Sequence, residues 1–141
     1  MAIDFHPAIG TIVMCNYDEG FKVPEMRKTR PAIVISPPIR VRANLATVVP
    51  ISTSPPMPEM PYHYRLTIDP PLSKKFDATE AWVKCDMVCA VSFERLSLIR
   101  NGKDITGKRI YRIEPISDND LRSIRACVLK GLGLATLTNH L

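Results

Sequence analysis

The sequence predicts a mainly β domain, a compact antiparallel barrel or sandwich, with one helix at its carboxyl end. Three observations predict it. Over the first two thirds, short β-branched runs are separated by proline, glycine and acidic stops rather than by helical stretches. The chain carries 13 prolines, which end strands and limit pairing at their edges. After residue 117 the apolar period changes from that of a strand to that of a helix.

The elements follow in order. Residues 11–17 form an apolar run after Gly10 and stop at Asp18-Glu-Gly20. Residues 31–36 are a second run, ended by Pro37-Pro38, and residues 45–50 a third. The segment Pro55-Pro-Met-Pro-Glu-Met-Pro61 excludes helix and interior strand, so a stiff, extended loop is expected there. The Tyr62-His-Tyr-Arg65 that follows has rings and a cation that can stack on unpaired bases or pack on the rim of the sheet. Residues 64–68 and 81–85 alternate as half-buried strands, with residues 88–91 continuing or pairing with the latter, and residues 109–113 are the last candidate. Ser117 is the expected N-cap, with Asp120 three positions on. Leu121, Ile124, Val128, Leu129 and Leu132 then make one stripe, and Gly131 and Gly133 end the helix.

With 141 residues the chain reads as a single domain over 1–141. Its 45% apolar and 23% charged content is that of an ordinary globular protein. Neither a leader pattern nor a run of ~18 apolar residues occurs, so a cytoplasmic protein without membrane contact is expected. Lysines and arginines number 19 against 14 acidic residues, a formal charge of +5. That surplus fits a polyanionic partner without demanding one. It is densest at Arg27-Lys28-Thr-Arg30, Arg40-Val-Arg42, Lys74-Lys75 and Lys108-Arg109. Of the four cysteines only Cys85 and Cys89 are close, and His6, His63 and His140 are scattered. No metal site and no cofactor are expected, and the thiols read as small hydrophobes.

Three strand-like segments carry polar groups with chemistry: Lys28-Thr-Arg-Pro-Ala-Ile-Val-Ile-Ser36, Val48-Val-Pro-Ile-Ser-Thr-Ser54 and Trp82-Val-Lys-Cys-Asp-Met87. Cleaving RNA through its own 2′-hydroxyl requires a proton acceptor, stabilisation of the phosphoryl charge and help for the departing 5′-oxygen. The planar guanidinium of Arg30 suits the second task, and Pro31 biases Arg30 towards an extended backbone. Glu25, five residues earlier, is placed to orient Arg30 or to take the proton. Ser52 and Thr53 offer hydroxyls at a strand end. In a strand over 82–86, Trp82, Lys84 and Asp86 share one face and Val83 and Cys85 the other. Each group also has a plain structural reading: a surface ion pair, a hydroxyl-capped turn, the solvated face of an edge strand.

Taken together, these segments resemble the PemK/MazF family of toxin endoribonucleases, over about residues 8–99 and again in the closing helix. The resemblance implies a small SH3-like antiparallel β-barrel, a homodimer and a cognate antitoxin protein. It also implies metal-independent cleavage of single-stranded RNA (mRNA), leaving a 2′,3′-cyclic phosphate and a 5′-hydroxyl. By the same resemblance Arg30, Glu25, Ser52 and Asp86 are the catalytic candidates, and Asp18, Lys28, Thr53 and Lys84 the substrate-binding ones. Ser52 stands where the family usually has threonine, and Asn16 where several members have aspartate. The alternative is a non-catalytic module of the same fold, either an RNA binder that has lost activity or a gyrase-poison-like protein.

Overall fold

The computed structural model describes residues 2–72 and 76–141. The Lys74-Lys75 cluster lies outside the described residues. Among the described residues eight strands and one long helix form in chain order: β1 (Ile12–Asn16), β2 (Thr29–Val34), β3 (Leu45–Ser52), β4 (His63–Thr67), β5 (Glu80–Lys84), β6 (Cys89–Ser92), β7 (Leu96–Lys103), β8 (Arg109–Arg112) and α1 (Asp118–Gly131). Short 3-10 turns occupy Phe93–Arg95 and Ala135–His140.

All strand pairs are antiparallel, in the order β4-β5-β3-β2-β1-β7-β8, with β6 also paired to β3. The expected barrel is therefore an open sheet: among the described residues no ladder joins β4 to β8. At one edge α1 meets β4, where the Tyr64 hydroxyl donates to Asp120 at 2.6 Å. At the other, β8 leans on β7 across an irregular register between Arg100 and Lys103.

Each expected strand appears within two residues of its predicted bounds. The strand that the sequence does not predict is β7. Its buried positions are Leu96 and Ile99, a spacing that lacks strand alternation. The run expected at 88–91 forms β6 over 89–92, which pairs with β3 and not with β5. The eight-residue β3 makes both contacts possible, holding β6 along 45–48 and β5 at 51–52.

Alternation along the strands sends side chains into two apolar clusters. One, with Ile12, Ile33, Val49, Ile51, Val83 and Leu66, is covered by Ile124 and Cys127 of the helix. The other, with Val13, Cys15, Ala32, Val34, Val48 and Phe93, is covered by the amino-terminal segment and Met26. The helix starts as expected: the Ser117 hydroxyl accepts the Asp120 N–H at 3.1 Å. Gly133 follows in the left-handed region, φ 76°, where glycine ends helices at little cost. The expected stripe is only partly buried, however, with Ile124 enclosed and Leu132 64% exposed.

Candidate functional site

The candidate residues gather where β2, β3 and β5 run out of the apolar clusters into loops. In β2, Pro31 to Val34 are buried while Thr29 is exposed and Arg30 half-buried. Arg30 is thus the position at which the strand meets solvent. Its backbone is fixed by pairing with Cys15 of β1. Its Nε donates to the Arg27 carbonyl at 2.8 Å, which leaves the terminal guanidinium nitrogens for a ligand. No carboxylate among the described residues bonds to Arg30.

The β2–β3 register pairs Ala32 with Pro50. Two residues further along β3, Ser52 pairs with Trp82 of β5. Ser52 is only 5% exposed, and its Oγ accepts the Ser54 N–H at 3.2 Å. Its hydroxyl is committed to the turn. Thr53 is exposed, and it lines the mouth of a small cavity together with Arg30, Pro31 and Ile51. Of the two hydroxyls expected beside Arg30, Thr53 has the free one.

The β1–β2 loop carries Asp18, Glu25 and Lys28. Its base is closed twice: Tyr17 N–H donates to the Lys28 carbonyl at 3.0 Å, and Lys28 N–H donates to Asp18 Oδ1 at 3.1 Å. Asn16 Oδ1 in turn accepts the Asp18 N–H at 2.8 Å, so the amide at this position shapes the loop. Glu25 Oε2 accepts the Lys22 N–H at 3.0 Å. Glu25 therefore closes its own turn and does not orient Arg30. It faces instead a cavity of about 470 Å³ that it lines with Tyr17, Phe21, Met26, Asp86 and Met87.

Asp86 is not on β5. The strand ends at Lys84, whose carbonyl accepts the Met87 N–H at 3.1 Å, and Asp86 is exposed on that turn. The alternation expected for 82–85 holds, with Val83 and Cys85 buried and Trp82 and Lys84 half-buried on the opposite face. The last turn of α1 supports this turn closely. A Cβ on Gly131 would lie 3.2 Å from the Asp86 Cα, closer than side chains normally approach backbone. The structure so divides the candidates: Arg30 and Thr53 share one cavity, while Glu25 and Asp86 share another.

One organising residue has no signal in the sequence. Arg95, after β6, donates to the Asn16 carbonyl at 3.0 Å and to the Glu19 carbonyl at 2.6 Å. Its guanidinium also lies over the Phe21 ring, 4.8 Å from the centroid. One side chain thereby holds the start of the β1–β2 loop from 76 to 79 residues away in sequence. Beneath the loop, burial pushes the Cys15 thiol up to about 11 and the Tyr17 hydroxyl further above its usual range. Both stay neutral at physiological pH. All four cysteines are free. Among the described residues no group of three or more His, Cys, Asp or Glu is placed to hold a metal ion, and no helix is long and apolar enough to cross a membrane.

This open sheet with its terminal helix has known relatives. Residues 8–131 match the family model of PemK-like, MazF-like toxins of type II toxin–antitoxin systems. The chain belongs to that family. Its fold is similar to that of MazF from Deinococcus radiodurans, with a TM-score of 0.64 at 17% identity, covering 92% of this chain and 99% of that one. It is also similar to the Mycobacterium tuberculosis toxin MazF-mt6, with a TM-score of 0.57 at 14% identity over 88% and 97% of the two chains. A MazE–MazF structure from Deinococcus radiodurans matches at 0.59 and 18% identity, over 93% and 99%. The uncharacterized Escherichia coli (strain K12) protein YifN is 27% identical across 99% of this chain and 100% of its own length.

Proposed function

We propose that this chain is the toxin of a type II toxin–antitoxin pair and acts as a metal-independent endoribonuclease on single-stranded RNA. The observation that carries the reading is the placement of Arg30: on a paired strand, at the edge of the core, bonded to no carboxylate among the described residues and beside the exposed Thr53. Such a guanidinium is preorganised for a phosphodiester. In the reaction the substrate's 2′-oxygen attacks phosphorus, the bond to the 5′-oxygen breaks and a 2′,3′-cyclic phosphate forms. The 2′-proton passes to a base, and the 5′-oxygen acquires a proton as it leaves.

Arg30 holds the non-bridging oxygens as charge grows on them, and the Thr53 hydroxyl donates to the same group. Glu25 and Asp86, across the neighbouring cavity, are the carboxylates available to take the proton. Lys84 and Lys28 attract the flanking phosphates. Ser52 keeps the 53–54 turn in place. Asp18 acts by closing the loop that bears Glu25. The Deinococcus radiodurans MazE–MazF structures support an antitoxin protein as partner of this chain too, and family membership supports a homodimer.

The test is incubation with mixed-sequence single-stranded RNA in EDTA, followed by end-group analysis. Cyclic-phosphate and 5′-hydroxyl ends are expected, and Arg30→Ala should lower the rate by about 10² to 10³. Intact RNA with tight, salt-dependent binding would point instead to a binding module. Cleavage unaffected by Arg30→Ala would remove the assignment of Arg30.

A further inference from the structure

Trp82 is the chain's one tryptophan, and it lies on the solvent side of the sheet. Its neighbours Ala81 and Val83 are 1% and 0% exposed, whereas Trp82 is half-buried on the opposite face of β5. An indole serving only the core would point the other way. Around it stand cations. Arg65 is its register partner on β4, with the guanidinium 5.8 Å from the ring centroid. Ser52 is its partner on β3. Lys84 follows two residues on, on the same face. Glu80, also on this face, pairs with one nitrogen of Arg65 and holds it beside the ring. The remaining guanidinium nitrogens stay available.

An aromatic face flanked by cations is the combination that binds single-stranded nucleic acid: the ring stacks a base while the cations hold the adjoining phosphates. We infer that Trp82 is a stacking platform for an unpaired base of the RNA. Arg65 takes a phosphate adjoining that base. The inference rests on the single-stranded RNA reading above and extends it to a site outside the reacting atoms. Because every base has a π-face, the platform contributes affinity without selecting among bases.

The lone tryptophan reports on itself. A mixed-sequence single-stranded RNA with 2′-O-methyl riboses has no internal nucleophile, so it binds without being cleaved. Titrating it into the intact protein should quench tryptophan emission, whereas the same sequence as a duplex, with its bases already stacked, should not. By anisotropy of the end-labelled RNA, Trp82→Ala should weaken binding about ten-fold and Trp82→Phe far less. The wild-type quench needs no substitution, so it is independent of any variant's folding. RNA that binds with emission unchanged, or that binds Trp82→Ala as tightly as wild type, overturns the platform and leaves the nuclease reading standing. Failure to bind this RNA, together with failure to cleave its unmodified counterpart, overturns both.

Discussion

The carboxylate of Asp18 accepts the backbone N–H of Lys28 at 3.1 Å, and Lys28 sits in the left-handed region at φ 71°. A side chain with a Cβ is strained there by roughly 1–2 kcal/mol, and the Asp18 bond is part of what holds it. Asp18 and Lys28, both expected to touch substrate, thus also form the latch of the loop between β1 and β2.

Lys28→Gly should raise stability by about 0.5–1 kcal/mol, because glycine adopts this conformation freely. It should also reduce the salt dependence of RNA binding by ~0.7 in slope, the contribution of one phosphate contact to a single strand. Thermal melting and a salt titration of RNA affinity check the two halves separately. If only stability changes, Lys28 is a loop residue and contacts no phosphate.

Arg95→Ala should loosen the same loop from its other end. It removes two hydrogen bonds to carbonyls and a cation–π contact, together worth about 2 kcal/mol. The expected signature is faster amide hydrogen exchange across residues 17–28 and a lower cleavage rate, with the exchange of β3 unchanged. Arg95→Lys should recover only part of the loss, since an ammonium lacks the guanidinium fork. Uniform loss of protection throughout the sheet would mean that Arg95 supports the fold as a whole.

Much of this architecture was legible in the sequence because strand period, proline stops and an N-cap act locally. Ser117 and the runs at 11–17 and 45–50 announce themselves within a few residues. Arg30 was legible for the same reason, since a polar residue directly before Pro31 and an apolar run must sit at a strand's edge. What was hidden depends on distant partners. Arg95 acts on carbonyls of Asn16 and Glu19, and carbonyls carry no sequence signature. The separation of Glu25 from Arg30 follows from a turn bond to Lys22, and the pairing of β6 with β3 from the length of β3.

Alkaline pH should destabilise the fold through Cys15. Burial raises this thiol from its usual 9.0 to about 11, against smaller lowering effects of Tyr17 and Arg95. Between those values the unfolded chain has released a proton that the folded chain still holds, so rising pH favours unfolding. The contribution is complete below pH 9 and lost by about pH 11. At ~1.4 kcal/mol per unit it amounts to about 3 kcal/mol. Denaturant melts of Cys15→Ala should show a shallower decline from pH 9 to 10, before Tyr17 begins to contribute from its usual 10.0. Parallel pH profiles for wild type and variant would exclude Cys15 as the source.

The two adjacent hydroxyls should separate by experiment as they do in space. Ser52 is enclosed and bonded to the Ser54 N–H, whereas Thr53 is exposed beside Arg30. Ser52→Ala should therefore cost about 1 kcal/mol of stability and leave the chemical step nearly intact. Thr53→Ala should do the reverse, with an unchanged melting temperature and a rate about 10 to 100-fold lower, the loss of one donor to the developing charge. Thr53→Ser keeps the donor and should restore most of the rate. Single-turnover cleavage and melting of the three variants decide the matter. A rate that falls with Ser52→Ala alone would require the 53–54 turn to open during catalysis, freeing Ser52 Oγ to meet the phosphate held by Arg30.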